Sequence, residues 1–431
     1  MALSTIFIAF VLMLAVMLIG MPVAAIMALA GLVGGALAFG WPLVESMGAV
    51  VWGVQNENLL TAIPLFILLG ELLLRSGIAD RMYGALSLWF DRLPGGLLHT
   101  NIGCCALFAA TSGSSVATAA TIGTVAMPTL EREGYDRSAA LGSLAAGGTL
   151  GILIPPSVNL LIYGAMAEQS IGQLFVAGIV PGLLLTGLFM AYIIASHWRG
   201  RDRNRTPIPL TVKVRALTAL LPPLAIFTIV IGSIYFGIAT PTESAALGVL
   251  TALAFVIGFG KLSFGFLDRC FVQTAKTTGM VLLIVTSAFI LNVTLSLTGV
   301  AQTMTAWITS LGLSPTGLLL VLIGFYLVLG MFMDVLSMQV LTIPIAVPVV
   351  VAAGIDPVWF GIFVVLMCEL GLITPPVGMN LYVVHGIRLD GGSFFTVVRG
   401  ALPYAGIMLA MTLLLIAFPE IALWLPKRMF G

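Results

Sequence analysis

The sequence predicts an all-α polytopic membrane protein built as two inverted repeats, each of five transmembrane spans plus a re-entrant helical hairpin. Three observations carry this. Hydrophobic residues fill 60% of the 431 positions and charged residues only 8%, where a soluble domain carries about 25%. Leu150-Gly151-Ile152-Leu153-Ile154-Pro155-Pro156 recurs at Leu370-Gly371-Leu372-Ile373-Thr374-Pro375-Pro376, 220 residues further on (370 − 150). The basic residues, finally, fall almost wholly on one predicted side.

Uncharged runs of span length recur along the chain, at 3–44, 94–130, 138–167, 171–198, 216–242 and 401–419. Each can cross about 30 Å of hydrocarbon at least once. Barrel strands would read as short alternating segments, and none is seen. The first apolar segment has no basic region before it and is followed by more apolar sequence, so it reads as a span and not as a signal peptide.

The first repeat, 1–215, places spans near 5–20, 22–40, 58–74, 139–165 and 172–196, with a hairpin at 94–130. The second, 216–431, places them near 216–237, 241–259, 279–297, 357–386 and 400–424, with a hairpin at 314–350. The hairpin tips are Thr111-Ser112-Gly113-Ser114-Ser115 and Gly330-Met331-Phe332-Met333-Asp334, too short and neutral for loops that leave the membrane. Five crossings per half is odd, so the second half stands upside down relative to the first. Leu69 to Met82 matches Leu291 to Met304, and Pro22 matches Pro241, at nearly the same offset.

With the loop after Trp198 in the cytoplasm, only Lys427 and Arg428 of the 18 basic residues fall outside. Both termini are then periplasmic, and 41–58 is a periplasmic loop carrying Glu45 and Glu57. Segments 78–92 and 300–313 read as interfacial helices, one on each face. The net charge of +1 gives no sign of a nucleic-acid partner; the extended partner is membrane lipid.

A Pro-Pro pair cannot continue a helix, since neither ring offers an N–H and each clashes with the preceding turn. In lipid such a break persists only where protein or a water-filled cavity satisfies the freed groups. Paired breaks in matching halves are the best pointer in a sequence to a solute-binding site. The oxygens offered there are hydroxyls, amides, exposed carbonyls and one carboxylate. Hard cations such as Na⁺ suit this set, and half-helix N-termini can hold an anion without arginine. The candidate Na⁺ ligands are Ser112, Gly113, Ser114, Ser115, Gly151, Pro155, Asn159, Gly330, Asp334, Thr374, Gly378 and Asn380. The candidate substrate contacts are Ser114, Thr118, Pro156, Ser157, Ser337 and Pro376.

Asp334 is the only charge between Lys276 and Asp356. An unpaired acid in lipid is a functional site by default, and cation ligation is favoured over helix capping. Glu369, ahead of the second break, fits proton coupling or helix capping equally. Glu71 with Arg75 reads as a structural pair, and Glu243 after Thr240-Pro241 as a cap. Cys104, Cys105, Cys270 and Cys368 lack metal spacing and read as core. No phosphate-binding Gly-x-x-x-x-Gly-Lys-Ser/Thr motif is present, so ATP is not the energy source carried here. An intramembrane enzyme would need a catalytic dyad or metal cluster, and none is seen.

These residues resemble the large membrane subunit of tripartite ATP-independent periplasmic (TRAP) transporters. The matching stretches are Thr61-Ala62-Ile63-Pro64, Ser112-Gly113-Ser114-Ser115, Gly151 to Ser157, Gly237 to Glu243, Phe332-Met333-Asp334 and Gly371 to Asn380. The resemblance implies a scaffold and an elevator-type transport domain in the bacterial inner membrane, with Na⁺ as coupling ion. It implies a small four-helix membrane subunit, here unfused, and a periplasmic substrate-binding protein as partners, with an organic acid (a dicarboxylate or sialic-acid-like compound) as substrate. Asn159 falls one place nearer its Pro-Pro pair than Asn380 does. The competing expectation is a stand-alone Na⁺/dicarboxylate carrier of the same superfamily.

Overall fold

A computed structural model describes residues 3–198, 208–388 and 390–430. Among the described residues there is helix and turn but no strand, in line with the all-α expectation. Arg199, Arg201, Arg203 and Arg205, which help to set the predicted orientation, lie outside the described residues.

The chain runs through α1 (Leu3–Leu18), α2 (Val23–Phe39), α3 (Trp41–Gln55), α4 (Ala62–Arg75) and α5 (Ile78–Phe90). It continues through α6 (Leu97–Ser112), α7 (Ser115–Arg132), α8 (Arg137–Leu153), α9 (Val158–Met166) and α10 (Ile171–Ser196). Then follow α11 (Leu210–Ala216), α12 (Leu221–Tyr235), α13 (Pro241–Gly258), α14 (Phe264–Leu297), α15 (Val300–Ser310) and α16 (Pro315–Gly330). The last are α17 (Val335–Ala352), α18 (Pro357–Leu372), α19 (Met379–Gly386), α20 (Phe394–Ala417) and α21 (Glu420–Phe430).

Three expectations need correction. The segment 41–58 is not a loop: Gly40 turns the chain at φ +78° and Pro42 stands in the first turn of α3, where its missing N–H costs nothing. Absence of basic residues indicated which side the segment faces and said nothing of its shape. The span near 279–297 begins much earlier, at Phe264, because Ser263 caps a single 34-residue helix through Phe266 N–H. The span near 400–424 divides at Pro419, which its predecessor Phe418 meets in a non-helical conformation. By contrast Pro222-Pro223 breaks nothing, since both stand in the first turn of α12.

The two halves use the same local devices. Gly77 and Gly299 take left-handed φ of 76° and 69° at the starts of α5 and α15. There the path bends by 66° between α4 and α5. Asp136 and Asp356 cap α8 and α18 by accepting backbone N–H groups of Ala139 and of Val358 and Trp359. Pro155–Pro156 and Pro375–Pro376 are both cis. The two helices that follow these glycines differ, however. α5 buries six of its 13 residues, and Tyr83 Oη donates to Asn101 at 3.1 Å, whose amide donates to Ser143 at 2.8 Å. Only Val300 is buried on α15.

The core lies along α8 and α18, buried from Ala140 to Leu153 and from Val358 to Leu372. A helix buried on every side needs neighbours all round; α8 has α6, α7, α18 and α20, and α18 has α16, α17, α10 and α20. Small residues let backbones nearly touch. A Cβ on Gly142 would lie 2.1 Å from the Gly400 carbonyl oxygen. A second group packs α2 on α14, α4 on α13 and α14, and α12 on α13. At the start of α13 a capping box joins Thr240 and Glu243, whose carboxylate accepts the Thr240 N–H and hydroxyl, each at 2.8 Å.

Where α19 leads to α20, Arg388 forks onto both oxygens of Asp390 at 2.8 Å, and Arg137 from the start of α8 adds a third contact at 3.1 Å. The Arg388 hydrogen bonds hold the Asp390 carboxyl well below the usual carboxylate range. This stabilisation is present at neutral pH and is lost as pH falls through that depressed value. Asp390→Asn should therefore lower the melting temperature near neutral pH, with the deficit shrinking under strong acid. A constant deficit across the pH range would show that charge is not what the site uses.

Candidate functional site

In each half a hairpin turn closes against a helix break. Gly113 ends α6 with φ +60°, and a Cβ there would lie 2.9 Å from the Pro156 carbonyl oxygen. Ser114 then turns extended and caps α7 through Ala117 N–H at 3.4 Å. A Cβ on Gly151 would lie 2.6 Å from the Ser114 carbonyl oxygen, so only glycine admits this contact. Ser115 Oγ donates to the Thr149 carbonyl at 3.0 Å. Thr118 Oγ1 donates to the Ser114 carbonyl at 2.7 Å and pairs with Ser112 Oγ at 2.9 Å. Ser157 caps α9 through Leu160 N–H, and every residue from Gly151 to Leu160 is buried.

The second half repeats the closure with other atoms. Val377 N–H donates to the Met331 carbonyl at 3.3 Å, and a Cβ on Gly371 would meet Gly330 Cα at 2.7 Å. Thr374 Oγ1 returns to the Leu370 carbonyl at 2.6 Å. Gly378, at φ +55°, starts α19 with the Thr374 carbonyl 3.1 Å from where its Cβ would be. Asp334 caps α17: Oδ2 accepts Ser337 N–H at 3.2 Å and Oδ1 accepts the Ser337 hydroxyl. A cation is thus not needed to explain the carboxylate, although each oxygen keeps a free lone pair. Unlike the first break, this one exposes Pro376, Val377 and Met379.

The turns and breaks bring together Ser112 to Ser115, Thr118, Gly151 and Pro156 in one cluster, and Gly330, Thr374 and Gly378 in another with Asp334 and Ser337 at its tip. Asn380 turns elsewhere. Its Nδ2 donates to the Ala145 carbonyl on α8 at 3.3 Å, and its buried Oδ1 has no partner. Asn159 likewise keeps an unpartnered buried Oδ1. Each cluster gathers the C-terminus of one helix and the N-terminus of the next, so partial charges of both signs meet there. Among the described residues no three His, Cys, Asp or Glu side chains come together, which leaves hydroxyl, amide and carbonyl oxygens with single carboxylates.

Two cavities lie away from these clusters. One of about 560 Å³ is lined by Asp136, Ser138, His197 and Arg399 among others, and one of about 410 Å³ by Glu131, Tyr135, Arg137 and Asp390. Neither is lined by a nominated ligand. Sequence reasoning missed the Tyr83–Asn101–Ser143 chain, which no spacing signals because its members sit on three helices. Glu71 pairs with Arg75 at 3.0 Å, and all four cysteines are buried and free.

A buried helical bundle with two broken helices sealed by two hairpins is the architecture of a membrane transport protein. The family model for the "Tripartite ATP-independent periplasmic transporter, DctM component" matches residues 10–421. The C4-dicarboxylate TRAP transporter large permease protein of Pseudomonas aeruginosa is 34% identical over 393 residues, covering 91% of each chain. The sialic acid TRAP transporter large permease protein of Vibrio cholerae is 33% identical over 387 residues, covering 88% of each. The solved Alcanivorax borkumensis YdaH transporter shares the fold alone, with a TM-score of 0.64 at 16% identity over 90% of each chain. The chain belongs to the DctM family of TRAP transporter large permease components, and is a transport subunit, not an enzyme.

Gly371→Ala should cost about 1–3 kcal/mol, as overpacking does, because its Cβ meets the backbone of Gly330, which cannot swing aside. Gly324→Ala, with nothing within 4 Å of the added carbon, should leave thermal stability unchanged or raised. Equal melting temperatures for the two variants would mean that the hairpin does not close on the break.

Proposed function

We propose that this subunit carries out Na⁺-coupled uptake of an organic acid across the bacterial inner membrane. The acid is delivered by a periplasmic substrate-binding protein, and the subunit works with a small four-helix membrane subunit. The family's tripartite description and relatives named for C4-dicarboxylate and sialic acid support this reading. The observation that carries it is the pairing of each hairpin turn with a helix break, by the Ser114–Gly151 and Gly330–Gly371 contacts. Na⁺ would be held by oxygens at those junctions, and the acid by N–H groups and hydroxyls such as those of Ser114 and Thr118.

The mechanism is an elevator. The two hairpins, the broken helices and α10 and α20 form one block, and α1–α4 with α11–α14 form the scaffold. Parting the turns from the breaks in lipid would strand backbone groups at several kcal/mol each; moving the block whole avoids this. α5 suits an arm between the two, since Arg81 sits 4.0 Å over the Phe259 ring at the end of α13 while Tyr83 holds Asn101 on α6. The halves are inverted repeats, 1–215 and 216–431.

Uptake by reconstituted vesicles should require Na⁺, and the partner protein should select among C4-dicarboxylates and sialic acids. Uptake that is unchanged when choline replaces Na⁺ would sink the coupling. Within that assay Asp334→Asn is the sharper probe, because asparagine caps helices as well as aspartate does. The fold should survive while Na⁺ dependence weakens about tenfold, equivalent to ~1.4 kcal/mol; wild-type dependence would remove Asp334 from the ion site.

Orientation follows from the charge bias, which leaves Lys427 and Arg428 periplasmic. A cysteine placed beside Lys427 should react with an impermeant reagent added outside intact cells, and one beside Lys276 should not. The reverse pattern would turn the topology over.

A further inference from the structure

The larger of the two cavities, about 560 Å³, lies where α8 and α20 begin and α10 ends, away from both junctions. That volume falls within the roughly 300–1,000 Å³ of small-molecule sites. Two contacts hold the helix starts side by side. Ser138 Oγ donates to the Thr396 carbonyl at 3.2 Å, and one turn further along Gly142 and Gly400 meet backbone to backbone.

Tyr404 forms part of the wall and is only 2% exposed. Phe189 and Tyr192 meet its ring edge-on, with centroids 5.2 and 5.0 Å away. Its hydroxyl has no hydrogen-bond partner among the described residues, and the oxygen is not sealed in. What little of Tyr404 stays accessible is therefore its polar tip, at the cavity. A buried tyrosine hydroxyl normally finds a partner, so this one is open to a ligand's.

Two opposite charges line the same cavity, Arg399 and Asp136. Neither makes an ion pair among the described residues, so they stand too far apart to pair with each other. Asp136 gives Oδ2 to Ala139 N–H and keeps Oδ1. His197, the other wall residue that can take a positive charge, is held by Ser196 Oγ at 2.9 Å. A pocket for an anionic lipid collects basic side chains; this one sets a single guanidinium against a single carboxylate. It adds the rings of Tyr192 and Tyr404, whose faces attract an ammonium group.

The rim is apolar. Phe395 in the wall, Trp198 beside His197 and Leu402 beside Pro403 are 76%, 70% and 61% exposed. Large apolar and aromatic side chains exposed at the ends of membrane helices lie at the lipid interface. We infer that this cavity holds the headgroup of a zwitterionic phospholipid of the phosphoethanolamine class. Its phosphate sits by Arg399 and the start of α20, and its ammonium by Asp136 Oδ1 and Tyr404 Oη. The acyl chains run out past Phe395 and Leu402. The assignment is independent of coupling ion and substrate, and the charge bias puts the lipid in the cytoplasmic leaflet.

Native mass spectrometry of the purified full chain tests this, with dioleoyl-phosphatidylethanolamine, dioleoyl-phosphatidylglycerol and soluble phosphoethanolamine as probes. The wild type should retain one phosphatidylethanolamine about fivefold more tightly than phosphatidylglycerol. Asp136→Asn, which keeps the helix cap, should erase that preference. Arg399→Gln should weaken both lipids, and Tyr404→Phe phosphatidylethanolamine alone. Lys276→Gln, outside the cavity, should change neither. Wild-type binding in all three cavity variants would overturn the site, and a wild-type preference for phosphatidylglycerol would overturn the zwitterion. Soluble phosphoethanolamine held as tightly as the lipid would overturn the membrane as its source. Melting temperatures without added lipid check folding; should Arg399→Gln melt early, the two near-isosteric variants still decide.

Discussion

Every backbone N–H and C=O in a lipid-embedded protein has to find a partner inside the protein, and the whole structure answers to that constraint. Four helix ends stop inside the buried body of the molecule, at Ser112, Leu153, Gly330 and Leu372. Each stop frees carbonyls behind and N–H groups ahead. The chain resolves this locally with caps from Ser114, Ser157 and Asp334, and across the fold by setting each turn against a break. Gly151, Gly330 and Gly371 follow from this, since the approach is set by backbone atoms and a Cβ has no room.

The same constraint governs what the sequence revealed. A proline pair in an apolar run is legible because its steric consequence is local, and so is a Gly-Ser turn between two uncharged stretches. α3 was hidden because the absence of basic charge in 41–58 speaks of orientation and leaves conformation open. The division at Pro419 was hidden by hydrophobicity, which runs on past the proline into α21. Contacts between distant segments left no trace at all. Asn380 looks from sequence like a companion of Asp334, yet its amide reaches Ala145 in the other half, a relation that only the packing of α19 on α8 creates.

Asp334 illustrates how a sound rule can point two ways. A lone acid in an apolar stretch is costly, so a compensating partner has to be found. Sequence reasoning looked for a cation, whereas the structure supplies Ser337 N–H and its hydroxyl at the start of α17. A capped carboxylate is not thereby spent. Each oxygen accepts from one side, and a cation can approach the remaining lone pairs with the helix N-terminus holding the carboxylate in position. Capping and ligation are compatible uses of one group, and the asparagine variant separates them because it keeps the first and removes the charge.

The two halves share their backbone devices but not their chemistry, and this asymmetry is where function has room to act. The first break is buried throughout and faced by hydroxyls, while the second exposes Pro376, Val377 and Met379 and carries a carboxylate at its hairpin tip. Where α8 meets α7 and α19, Gly148 packs against Ala119 and Asn380 keeps an unpartnered Oδ1, while on α17 Gln339 is buried with neither polar atom of its amide paired. A purely structural duplication would let both halves drift toward the small, apolar solution, because buried polar groups without partners are costly. Neither half has taken that course: Asn159 in the first and Gln339 and Asn380 in the second keep buried polar atoms without partners.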